Sequence, residues 1–332
     1  MTMASMNRAL PWIALAALLA LPLLLTPYTH DLVVKIMVLS VFALSLELLV
    51  GMTGLVSLGH AAFLGIGAYV TVLLSPEADP GWLPKLLLAA VAAAALYALF
   101  VGALSLRTKG VYFIMVTLAF AQMAYFVFHD TKLGGGTDGI YLNVRPVLGP
   151  LDSGAKLHLY YLVLGALAFT YALLALLRRS RFGHALAGIR VNEQRMRAAG
   201  FNTTAYKLAA FVLAGALAGL AGFLLAVKDG FVNPELLSWH ESGAVLLMII
   251  LGGIGHLRGA VLGAVAFALL KELFSTPALV GDRLAEHWQL TLGITIIAFV
   301  ALLPKGLIGL PQRWRARKPM RRAADADQEA AR

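Results

Sequence analysis

The chain has 332 residues, is 60% hydrophobic and 13% charged, and carries a net charge of +10; its mean hydropathy is +0.81. Soluble domains run about half apolar and a quarter charged, so the composition excludes a soluble enzyme and predicts an all-α polytopic membrane protein. The basic excess reads as the positive-inside bias of such proteins rather than as a nucleic-acid surface, and the lack of cysteine excludes disulfides, thiolate catalysis and thiolate metal sites.

Ten membrane-crossing segments are predicted, at roughly 9–27, 32–51, 55–74, 84–106, 111–129, 158–178, 206–227, 243–255, 258–275 and 288–304, some of them short or broken. About 20 apolar residues are needed to cross the hydrocarbon core. The first segment, behind Arg8, runs into Thr26-Pro27-Tyr28 rather than a small-residue cleavage site and reads as an uncleaved span. With the N-terminus inside, the cytoplasmic turns are 52–54, 107–110, 179–205, 256–257 and the tail, so both termini are cytoplasmic. The basic residues then gather on one side, at Arg107 and Lys109, in loop 179–205 and from Lys305 onward. Residues 1–310 read as a single transmembrane domain. The tail, 311–332, is polar, mixed in charge and rich in Ala, and is expected to be disordered.

Glu47 stands inside the apolar run FALSLELLVG. It pairs near the cytoplasmic interface or serves a proton, cation or polar substrate; a lone carboxylate favours the first. Next, Gly51 to His60 leads into AAFLGIGAYV, and much later Gly252 to Gly259 leads into AVLGAVAFALL. Both set Gly and His at the start of a small-residue helix. Short, Gly-interrupted segments in matching positions of two halves point to a transport path, and close helix packing is the competing explanation. Gly54, Ser57, Gly59, His60, Gly252, Gly253 and Gly255 are thus candidate path residues. His60 and His256 lack the local spacing of a metal pair. Thr117 and Gln122, read as one turn apart on one face of segment 111–129, either line the path or hydrogen-bond a neighbouring helix.

The run Gly134-Gly135-Gly136-Thr137-Asp138-Gly139 falls in the largest external loop. No Lys-Ser/Thr follows it, so it is not a phosphate cradle; it reads as a rigid turn. Thr137 and Asp138 are candidates for contact with an external protein.

Between Leu177 and Leu208 the oily chain turns basic. Arg178, Arg179, Arg181, Arg190, Arg195, Arg197 and Lys207 stand against a single acid, Glu193. Phe182, Leu186, Ile189 and Met196 recur at helical spacing, which predicts one or two amphipathic helices and a docking surface for a soluble partner. Lys271 and Glu272 fall at a predicted helix end and read as solvated. No Gly-Lys-Ser/Thr loop occurs, so an ATPase driving this chain is another subunit. No His-Glu-x-x-His, Ser-x-x-Lys or Gly-x-Ser-x-Gly pattern supports an intramembrane hydrolase, and the motifs call for no cofactor and no metal.

The stretches MTGLVSLGHAAFLGIGAY, RTKGVYFIMVTLAFAQMAYFVF with GGGTDG after it, SRFGHALAGIRVNEQRMRAAGFNTTAYKLAAFVLAGALAGLAG, and GGIGHLRGAVLGA follow one another between about Val33 and Leu310. In this order they resemble the LivM-type permease of bacterial branched-chain amino-acid ABC importers. The resemblance implies a bacterial inner-membrane permease domain that forms half of an amino-acid path. It also implies a second, LivH-like permease, two cytoplasmic P-loop ATPases, a periplasmic binding protein and surrounding lipid, and no nucleic acid. The basic loop becomes the coupling helix, with Gly183, Leu186, Ile189, Arg190, Glu193, Arg197 and Gly200 as the ATPase-coupling residues. Glu193 and Gly200 match the acidic and glycine positions of the importer loop, although they stand one position further apart than in the general motif and Gln194-Arg195 replaces its Ala-Ala. Importers of urea and short-chain amides use close relatives of this permease and are the alternative. An ion-coupled secondary carrier is opposed by the sparse intramembrane charge.

Overall fold

The computed structural model describes residues 17–309 apart from 24–25, 149–150, 278–280, 283–285 and 304. The expected first span lies mostly outside these residues, and the tail 311–332 wholly so. The chain divides into two compact units, Met1–Leu246 and Leu247–Arg332.

The first unit is built round two buried helices. Helix α1, Pro27–Glu47, opens on Thr26, whose side chain accepts from the Thr29 amide, with Pro27 at the first helical position where no N–H is needed. It continues as a π-helical turn, Leu48–Thr53, and stops at Gly54 in the left-handed conformation. Helix α2 is His60–Leu73, α3 Leu83–Ser105, α4 Val111–Asp130 and α5 Lys156–Arg179. A hairpin of two short helices follows, α6 Arg181–Val191 and α7 Glu193–Ala198, and then the second central helix, α8 Thr203–Asp229. The α8 sequence sets Gly and Ala toward α2 and α3, so backbones meet almost directly. A Cβ on Gly222 would lie 1.9 Å from the Leu64 carbonyl oxygen, and one on Gly67 2.4 Å from that of Gly219. Such approach is the means by which helices associate where lipid leaves no hydrophobic drive between them.

At one end of α5 and α8 lie short strands. β1 (Ile140–Tyr141) pairs antiparallel with β4 (Phe231–Val232), and β2 (Val147–Leu148) pairs with β3 (Leu151–Asp152). Arg145 donates to the Lys228 carbonyl at 3.1 Å and ties the strand loop to the end of α8. The α6–α7 hairpin sits at the opposite end of the same two helices.

The second unit contains the end of α9 (Trp239–Gly252), α10 (Leu257–Ser275) and α11 (Trp288–Leu302). The chain turns by 116° between α9 and α10. Gly253 and Gly255 sit in the break at φ of 111° and 90°, and a Cβ on Gly252 would lie 1.8 Å from the Gly259 carbonyl oxygen.

Among the described residues six helices are long and apolar enough to cross a membrane, or seven with α9 and α10 taken as one broken span. Of the ten predicted spans, the first, 9–27, lies mostly outside the described residues, and three others take a different form for physical reasons. The 55–74 segment loses its first residues to the irregular stretch after Gly54, leaving α2 with 14 residues; at 1.5 Å per residue that is about 21 Å, short of a bilayer core of about 30 Å. The 243–255 and 258–275 segments are the two arms of the bent pair.

Candidate functional site

The hairpin is shaped locally by its caps. Ser180 leaves the α5 helix, and its hydroxyl accepts from the Gly183 amide at 3.2 Å to start α6. Asn192 breaks α6 and accepts from the Arg195 amide at 2.9 Å to start α7. Met196 packs against Gly188, where a Cβ would lie 2.8 Å from its sulfur. Phe182 stacks on Tyr206 at 5.4 Å.

The amphipathic pattern is real, but its apolar face is spent inside the unit. Gly183, Ala185, Leu186 and Ile189 are buried. Glu193 is also turned inward, with its side chain 20% exposed. One oxygen accepts from Arg197 at 2.6 Å and from the Thr203 hydroxyl at 3.1 Å, and the other from Lys207 at 2.6 Å. Burial alone would raise its pKa. The hydrogen bond and charge of Lys207 outweigh that, helped by Thr203 and Arg197, and hold it at about 2 against an ordinary 4.5. Of the seven residues expected to contact an ATPase, Gly183, Leu186, Ile189 and Glu193 therefore brace the hairpin, and Arg190, Arg197 and Gly200 remain on its surface. Val191 is exposed to 85% at the turn between the two helices, and Phe201 to 38% after α7. Neither is in the nominated set. Their one signal was an apolar residue off the helical stripe, beside a cap.

The structure brings together five of the candidate path residues. Beyond Gly54 (φ 75°) the chain runs without helix to Gly59. Ser57 is buried and accepts from the Gly59 amide at 3.3 Å. A Cβ on Gly59 would lie 2.2 Å from the Thr117 carbonyl oxygen, so the break rests against the middle of α4. His60, the first residue of α2, is fully buried. Its Nε2 meets Ser45 Oγ at 2.8 Å; the ring stacks on Phe42 and meets the edge of Phe63, each at 5.5 Å. The Ser242 hydroxyl accepts from the Ala61 amide at 2.9 Å, capping the helix from far along the chain.

Gln122 does not share the face of Thr117, because five residues rotate an α-helix by about 140°; Thr117 is buried and Gln122 only partly so. Of the two histidines, His60 is buried and His256 is exposed. Glu47 is buried, 2% exposed, and its carboxyl group lies against Gly51 in the turn that follows, where a Cβ would come within 2.1 Å of Oε1. Gly252, Gly253 and Gly255 belong to the second unit and its break. A 260 Å³ cleft in that unit is lined by Leu251, Leu269, Leu273 and Phe299 among other apolar residues, and offers nothing to a charged solute. Lys271 lies 5.1 Å over the Trp288 ring rather than free in solvent. Thr137 and Asp138 are exposed on a short helical turn, Gly136–Asp138. Among the described residues no group of His, Asp or Glu is placed to hold a metal ion.

The described residues thus form a helical bundle with a broken helix and a braced basic hairpin. The family model for the branched-chain amino acid transport system permease component matches residues 28–300. The chain belongs to this permease family. It is 30% identical over 322 residues to the high-affinity branched-chain amino acid transport system permease protein LivM of Escherichia coli K12, covering 89% of this chain and 74% of the relative. It is 29% identical over 313 residues to LivM of Salmonella typhimurium, covering 87% and 72%. The permease is also 23% identical over 290 residues to LivH of Escherichia coli K12, covering 82% and 92%. No solved structure matches.

Proposed function

We propose that this permease is the transmembrane subunit of an ABC importer that forms half of the translocation path for branched-chain amino acids. The observation that carries this is the family match across residues 28–300, with LivM relatives similar over most of the chain. A single permease domain over 1–310 pairs with a LivH-like subunit. Two cytoplasmic P-loop ATPases supply the energy and a periplasmic binding protein supplies the solute. The hairpin is the coupling element, and its exposed groups, Val191, Arg195, Arg197 and Gly200, face an ATPase groove. That reading puts the hairpin, and both termini, on the cytoplasmic side, and the strand loops with Thr137 and Asp138 on the side of the binding protein.

Transport is by alternating access. ATP-driven closure of the ATPase pair displaces the hairpin, and helices packed through Gly and Ala slide between two arrangements. The break from Gly54 to His60, with Thr117, forms part of the path, and Gly252, Gly253 and Gly255 form the corresponding break. The reported relatives support the amino-acid reading and lend nothing to a urea or amide importer.

The test is affinity purification of the chain from its native membrane in mild detergent, read by mass spectrometry, followed by leucine uptake in proteoliposomes. Two P-loop ATPases and a second permease should be recovered, with uptake dependent on ATP. Recovery of the chain alone, with potential-driven uptake by it alone, overturns the proposal in favour of a secondary carrier.

A further inference from the structure

Arg190 and Val191 are neighbours at the tip of α6 that point to different tasks. Val191 is exposed, whereas the Arg190 guanidinium reaches back into the bundle. Its Nη1 donates to the carbonyl of Gly51, 139 residues earlier in the chain. Its Cγ lies 3.3 Å from where a Cβ on Gly54 would stand.

Gly51 and Gly54 belong to the point at which α1 fails. The π-helical turn Leu48–Thr53 ends with the Gly54 amide bonded to the Leu49 carbonyl, and the Leu55 amide also reaches Leu49, at 3.2 Å. The last carbonyls of a helix have no partner within it, and Arg190 supplies one for Gly51. The Glu47 carboxyl group lies against the same glycine, so polar side chains from two helices converge on one backbone unit. From Gly54 the chain passes to Gly59, which abuts the Thr117 backbone, and into His60 held by Ser45. Contacts therefore run without a gap from the hairpin tip to the middle of α4. A π-turn is a local weak point in a helix and a common site of functional bending.

We infer that Arg190 is the positioning residue that transmits hairpin movement to the break between α1 and α2, through Gly51 and Gly54. This rests on the ABC-permease reading and adds to it the route by which ATPase motion reaches the candidate path. Arginine suits the task because its charge is permanent and its planar donors hold a carbonyl in a set direction.

The experiment uses the complete transporter in proteoliposomes with its binding protein. Leucine imported per ATP hydrolysed and hydrogen exchange of amides 51–59 are compared for wild type, Arg190→Ala and Arg190→Lys, at equal amounts of assembled complex. In Arg190→Ala the import-to-hydrolysis ratio falls about tenfold and the 51–59 amides exchange about tenfold faster. Arg190→Lys, which keeps the charge but gathers its donors on one nitrogen, shows a smaller loss of about threefold. A ratio and an exchange rate at wild-type values in Arg190→Ala overturn the inference. If that variant does not assemble, wild-type values in Arg190→Lys overturn it equally. Failure of the wild-type chain to assemble with an ATPase strikes at the permease reading instead.

Discussion

Glu193 and Lys207 stand 2.6 Å apart, carboxylate oxygen to ammonium, across the turn between α7 and α8. Lys207 lies in the first turns of a 27-residue helix that is the centre of the first unit. The ion pair thus joins the basic hairpin to that helix at its root, and Arg197 and Thr203 close the cluster on the second oxygen. The hairpin is thereby tied to the start of α8.

Glu193→Gln should lower stability by about 1–2 kcal/mol, the range of a charge-assisted cluster near the surface. The carboxyl is held at about 2 when folded against 4.5 ordinarily, so its contribution is complete above 4.5 and is lost as pH falls from there toward 2. Melting of wild type and variant in detergent should differ most at neutral pH and converge in that acid window. A difference that stays constant down to the acid end contradicts this.

Val191→Asp should leave the melting temperature nearly unchanged, within about 0.5 kcal/mol, because the side chain touches little of its own chain. ATPase recovered with the purified permease should drop about tenfold, as expected for a desolvated anchor at an interface. Undiminished recovery would remove the hairpin tip from the docking surface.

Gly59 and Gly255 should both resist replacement by valine, with loss of uptake, but for different reasons. At Gly59 a side chain collides with the Thr117 backbone, costing about 1–3 kcal/mol. At Gly255 the backbone sits at φ 90°, which costs about 1–2 kcal/mol for an ordinary L-residue. Asparagine, which tolerates the left-handed region, should therefore be milder than valine at Gly255 and no milder at Gly59. Thermal shifts of the four variants decide this, and equal rankings at the two sites would count against it.

Ser45→Ala should cost about 1–3 kcal/mol, the penalty of leaving a buried group without its partner. The Ser45 hydroxyl donates to the Phe42 carbonyl at 2.7 Å, which leaves its oxygen to receive the His60 Nε2 proton. A melting temperature equal to wild type would mean that His60 finds another acceptor.

The membrane class, the place of most helices and the existence of a helical basic loop were legible in the sequence, because each depends on local quantities. Apolar run length locates a helix that must satisfy its own backbone in lipid, and helical spacing marks an amphipathic stretch wherever it lies. Even the break at Gly51 to His60 was visible in its glycines.

Only the tertiary structure decided what those features face. Periodicity shows that Leu186 and Ile189 share a side with Phe182, yet not whether that side meets an ATPase or the chain's own bundle; they are buried in the bundle. Glu193 reads in the sequence as a lone acid among bases, and is in fact enclosed by them. His60 and His256 have similar neighbours in sequence and opposite exposure. The partners that make these differences, Gly51 for Arg190 and Ser242 for Ala61, lie 139 and 181 residues away. No local pattern encodes such pairs; they arise when close-packed helices bring distant backbone within hydrogen-bond reach.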